Sequence, residues 1–158
     1  MSTFHAIDLE KIDVADLVAQ GICVAADPGH TGEVQSWYRS GNKSMQGDLV
    51  NGVPDGDWML WHEHGLLWQE VTFVHGAMNK KWKVWYRNGA IWIEGHFDLG
   101  ARCKQWTFNW PNGLPMAQGC FLDDRMSGTW DYWNQYGDHL GQADFICGYQ
   151  VDCRPTEP

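Results

Sequence analysis

No stretch of this chain is apolar for long enough to cross a bilayer as a helix, which takes about 20 residues. Its opening segment, from Met1 to Leu17, has neither a basic start nor an apolar run, so no secretory signal is visible. Cysteines number five, an odd count, and none are spaced as CxxC. Cys147 and Cys153 lie close enough in sequence to pair or to bind metal, but their spacing matches no standard site. The simplest expectation is a cytoplasmic protein with reduced thiols.

Basic residues are scarce as well. There are 11 against 20 acidic ones, a formal charge of −9. An acidic surface repels phosphate backbones and anionic headgroups, which argues against nucleic acid and against membrane insertion. It favours a basic protein partner through faster encounter, although a low pI also serves solubility alone. Catalytic signatures are missing too: there is no HExxH, no GxSxG and no phosphate-binding glycine loop. The expectation is therefore no enzyme and no cofactor. His62-Glu63-His64, with His75 further on, superficially resembles a metal site.

What the chain does hold is 11 Trp and 18 Gly among 158 residues. Glycine at that frequency disfavours long helices and suits tight turns and close backbone approach. These residues recur with a period of 24 (Gly32, Gly56, Lys80, Lys104, Gly128), without insertion or deletion up to Val151. The third position of each unit reads Val34, Trp58, Trp82, Trp106, Trp130, and the sixth reads Trp37, Trp61, Trp85, Asn109, Trp133. The tenth is glycine in all five copies: Gly41, Gly65, Gly89, Gly113 and Gly137. The sixteenth is small or Val71, and the eighteenth is Leu49, Phe73, Phe97, Phe121 or Phe145. Glycine marks the twenty-first except at Asp124.

Each unit reads as a β-hairpin. Trp82, Val84 and Tyr86 alternate with Lys83 and Trp85, by the two-residue period of a strand. Asn88-Gly89 follows as a turn signal, and then Ile91, Ile93, Gly95 and Phe97 alternate with Trp92, Glu94 and His96. Five such hairpins predict about ten short strands in an all-β, elongated, twisted antiparallel sheet over residues 32–151. Residues 1–31 form a capping segment with a short helix over 13–20, started at Asp13 and stopped by Gly21. Residues 152–158, with two prolines, form a flexible tail. His62 and His64 fall where Tyr86 and Asn88 stand in the next unit, so they read as substitutions within a repeat.

The pattern G-x-W-x-x-W-[YHW]-x-x-G followed by G-x-F-x-x-G resembles the MORN repeat (membrane occupation and recognition nexus). Lys81 to Gly89 with Glu94-Gly95-His96-Phe97 is the clearest copy. Gln46-Gly47-Asp48-Leu49 and Gln118-Gly119-Cys120-Phe121 match the [EQ]-G-x-[FY] of the bacterial variant, with Leu49 in the ring position. The resemblance implies an open hairpin array used as a binding platform. YwqK-type members of that variant family are antitoxins or immunity proteins encoded beside secreted toxins, whereas eukaryotic arrays serve membranes and scaffolds. Asn109, Pro111 and Asp124 depart from the pattern and put a uniform groove in doubt around the fourth unit.

One face holds the third-position tryptophans, the phenylalanines and the glycines, as a stabilising layer does. The other is expected to carry Trp61, Trp68, Trp85 and Trp92 interleaved with Glu70 and Glu94. That second face reads either as half-buried packing or as a site for basic or aromatic groups of a partner. The functional expectation is an immunity protein that occludes a cognate toxin with a basic surface. The alternative is a MORN-type scaffold or membrane-associated module.

Overall fold

A computed structural model describes residues 29–151. The predicted helix over 13–20, the tail over 152–158 and Cys153 lie outside those residues. Among the described residues there are strands and turns and no helix, so none is long and apolar enough to cross a membrane.

The strands are β1 (Gly32–Trp37), β2 (Lys43–Val50), β3 (Val53–Trp61), β4 (Leu67–Val74), β5 (Ala77–Trp85), β6 (Ile91–Asp98), β7 (Ala101–Asn109), β8 (Pro115–Leu122), β9 (Arg125–Trp133), β10 (His139–Ile146) and β11 (Tyr149–Val151). They form one open antiparallel sheet in sequence order. That is eleven strands, one more than the repeat arithmetic predicts. The strands β3, β5, β7 and β9 each start three residues ahead of a unit boundary, and β11 is the same start cut short.

Two kinds of turn alternate. The links Asn51-Gly52, His75-Gly76, Leu99-Gly100, Asp123-Asp124 and Cys147-Gly148 all have positive φ at both residues, from 46° to 94°. That is the two-residue geometry whose twist matches flanking strands. The wider turns carry the tenth-position glycines, with φ between 84° and 96°. In each, the first residue of the turn donates its N–H to the carbonyl four residues on, as from Tyr86 to Ala90 at 2.8 Å. Asn88-Gly89 therefore sits in a five-residue turn rather than a two-residue one. Only the glycine is left-handed, and the Asn88 carboxamide accepts the Ala90 N–H at 3.0 Å.

The departure at Asp124 is absorbed locally. Its left-handed backbone, φ 65°, is held because Asp124 Oδ1 accepts both the backbone N–H (2.9 Å) and the Nε–H (3.1 Å) of Arg102. Arg102 Nη2 also donates to the Asp124 carbonyl at 3.0 Å, and the guanidinium lies 4.3 Å from the centre of the Phe121 ring. The turn at Pro111 likewise keeps the common form, with Gly113 at φ 84°.

The core lies along one face of the sheet. Trp58, Trp82, Trp106 and Trp130 are all at most 1% exposed, and Phe73, Phe97 and Phe121 meet them edge-on. The reason for the sixteenth-position glycines is steric. A Cβ on Gly47, Gly95 or Gly119 would stand 2.2 Å from the ring of Trp58, Trp106 or Trp130 respectively. With its ring across a glycine, Trp58 Nε1–H reaches the Asp48 carbonyl at 3.1 Å and Trp130 Nε1–H reaches that of Cys120 at 3.1 Å. Where Val71 replaces the glycine, Trp82 Nε1–H finds no acceptor among the described residues, and its ring meets Trp106 at 5.7 Å.

Candidate functional site: the open face

Cross-strand register sets out the other face in rows. One row runs Gln35–Gln46–Met59–Glu70–Lys83–Glu94–Thr107–Gln118–Asp131–Gln142, one residue per strand from β1 to β10. Every neighbour in it is a direct Cα partner, so side chains along it meet across the strands. Lys83 Nζ lies 3.3 Å from Glu94 Oε1. Glu70 stands opposite Lys83 in register and is exposed.

Beside that polar row stand Trp37, Trp61, Trp85 and Trp133, on β1, β3, β5 and β9, with Asn109 in the gap on β7. Their register partners are Lys43, Leu67, Ile91, His139 and, for Asn109, Pro115. Trp37 is 58% exposed, whereas Trp61, Trp85 and Trp133 are half-buried. Lys43 Nζ sits 5.6 Å from the centre of the Trp61 ring and donates to Gln46 Oε1 at 2.7 Å. A ring that already attracts an ammonium group is suited to a cationic ligand.

The structure therefore brings Trp61, Glu70, Trp85 and Glu94 together as expected, but it separates Trp68 and Trp92 from them. Both of these pack against the buried core. The cause is a β-bulge in each unit: Trp61 pairs with Leu67 and Leu60 with Gln69, leaving Trp68 as the extra residue, and Trp92 is placed likewise between Ile91 and Ile93. An extra residue breaks the two-residue alternation, so Trp68 turns to the side of buried Gln69 and Leu67 takes the place beside Trp61. The triple apolar run Ile91-Trp92-Ile93, which no strict alternation explains, is the sequence signal for this bulge.

The histidines have a structural task. In successive wide turns, Tyr38 Oη–H donates to the Trp61 carbonyl at 2.7 Å, Tyr86 Oη–H to Asn109 at 2.8 Å and Trp110 Nε1–H to Trp133 at 3.2 Å. His62 Nε2 takes the same place against the Trp85 carbonyl at 3.2 Å. His64 Nε2 faces the Arg87 carbonyl at 2.7 Å, as Asn88 Nδ2 faces Pro111 and Asn112 Nδ2 faces Gln135. A carbonyl only accepts, so Nε2 carries the proton and donates in both rings. Burial lowers the His62 pKa, which favours the neutral ring. His75, 88% exposed at its side chain, pairs with Asp55 at 3.4 Å. Among the described residues, no three His, Cys, Asp or Glu side chains converge as metal ligands.

The open face thus offers aromatic surface, a cation-attracting ring and, at Glu70, a carboxylate that joins no ion pair among the described residues. No protein-family model matches the chain, and no curated protein matches it either.

Proposed function

We propose that this chain is a binding protein of the antitoxin or immunity class, which occludes a cognate toxin through the open face of its sheet. The observation that carries this reading is the division of labour between the faces. The buried core is the Trp–Phe–Gly layer, while half-buried Trp61 and Trp85 and exposed Glu70 stand on the opposite side, outside that core. Trp beside carboxylate matches a basic partner, and the net charge of −9 would steer such a partner in. Resemblance to bacterial MORN-repeat variants supplies the biological class.

The test is co-expression with the protein encoded by the adjacent gene. The expected result is restored growth together with a stoichiometric complex. No protection and no complex would overturn the reading, and flotation of the chain with liposomes would favour a membrane scaffold.

A further inference from the structure

The tryptophans of the open face have a regular pitch as well as a common orientation. Trp37, Trp61 and Trp85 stand on alternate strands, which places neighbours about 9.6 Å apart, twice the strand spacing. A polyproline II helix presents the same side every third residue, about 9.3 Å along its axis. The two repeats agree to within the variation of strand spacing.

We infer that the row Trp37–Trp61–Trp85 binds a basic, proline-rich segment of a partner protein in the polyproline II conformation, lying across the strands with one proline on each ring. The inference rests on the reading of the open face as the partner-binding surface, and it specifies the kind of segment bound. Three further features fit. The indole N–H groups that donate within the described protein belong to Trp58, Trp106, Trp110 and Trp130, which leaves those of Trp37, Trp61 and Trp85 free. A polyproline II backbone has no internal hydrogen bonds, so one indole N–H per turn can meet one of the three unsatisfied carbonyls in that turn.

Leu67, half-buried in register with Trp61, makes the floor between Trp61 and Trp85 apolar, and the Lys43 stem fills the gap between Trp37 and Trp61 with its ammonium group turned to Gln46. Exposed Glu70, whose carboxylate joins no ion pair among the described residues, stands ready for a basic residue of the ligand. Asn109 ends the run of rings, which limits the ligand to two turns, about seven residues with prolines at the first, fourth and seventh.

The experiment is calorimetric titration of the full chain with a peptide carrying proline at every third position and arginine between. A scrambled peptide of equal composition, a version with glutamine for arginine, and a β-1,4-linked oligosaccharide are titrated alongside. The expected result is one saturable site, at least tenfold weaker for the scrambled peptide. Trp85→Ala should weaken binding about thirtyfold, the equivalent of an interface Trp anchor. Trp85→Phe, which keeps a ring and loses the N–H, should weaken it several-fold even if the alanine variant fails to fold. Trp133→Ala, beyond the gap, should bind as the parent does, and Glu70→Gln should weaken only the arginine peptide.

No saturable peptide binding, equal binding of the scrambled peptide, equal loss in Trp133→Ala, or preference for the oligosaccharide would each overturn the inference. Growth protection without peptide binding would sink the proline-rich ligand and leave toxin neutralisation standing. Peptide binding without protection would do the reverse.

Discussion

Replacing Trp106 with alanine is expected to destabilise the protein by about 3–5 kcal/mol, the usual cost of emptying a buried aromatic site. Trp106 is 1% exposed and meets four other rings: Trp82, Phe97, Phe108 and Phe121, at 5.2 to 6.1 Å. Its Nε1–H also donates to the Cys103 carbonyl at 3.1 Å, which the variant would leave without that donor. The same change at Trp58, whose ring pairs only with Phe73 among the described aromatics, should cost less. Urea unfolding followed by far-UV circular dichroism reads both values. A loss below about 1.5 kcal/mol at Trp106, or a larger loss at Trp58, would contradict the continuous aromatic ladder.

Gly119→Ala should be nearly as damaging, at about 3 kcal/mol, for the opposite reason. The added methyl has no room, since its position lies 2.2 Å from the Trp130 ring. The backbone at Gly119 is not left-handed, so the penalty comes from contact rather than conformation. Opposite Val71, where a side chain does stand at this position, Trp82 lacks an indole acceptor among the described residues and packs against Trp106. Among the described residues no further core tryptophan follows Trp130 for it to lean on, since β11 is only Tyr149–Val151. If the ring is the obstacle, Gly119→Ala should cost much less in a Trp130→Leu background. A double-mutant cycle measures this, and strict additivity would refute the steric account.

Much of the fold was legible because the constraint is periodic. A 24-residue register without insertions fixes which residues share a strand position, and β5 alternates from Trp82 on, after a bulge at Lys80-Lys81 that the sequence reading missed. Trp82 and Val84 fall on the core face and Lys83 and Trp85 on the other. Alternation failed where the chain inserts residues. The bulge at Trp68 and Trp92 turns two predicted binding residues inward, because a period of two cannot register an odd insertion. The eleventh strand went unread because a three-residue stub, Tyr149–Val151, carries no pattern of its own. The hydrogen bonds linking one wide turn to the next were invisible as well. They join residues 23 apart, and only the folded register brings a Tyr or His tip onto the next turn's carbonyl.

Of the six residues expected at the partner surface, four lie together: Trp61, Glu70, Trp85 and Glu94. Glu94 is engaged by Lys83 at 3.3 Å, which leaves Glu70 as the freer carboxylate. Lys43, Leu67 and Ile91 join them through register, which the sequence does not print.

The most direct test of the two-faced account is the double variant Trp61→Ala/Trp85→Ala, assayed for both stability and protection against the toxin partner proposed above. Both rings are half-buried on the open face, so their joint loss should cost only about 1–3 kcal/mol of folding stability and leave the sheet intact at growth temperature. Protection should be abolished, with the complex dissociating faster than it does for the parent chain. A double variant that stays folded and still protects fully would show that the partner docks elsewhere on the molecule.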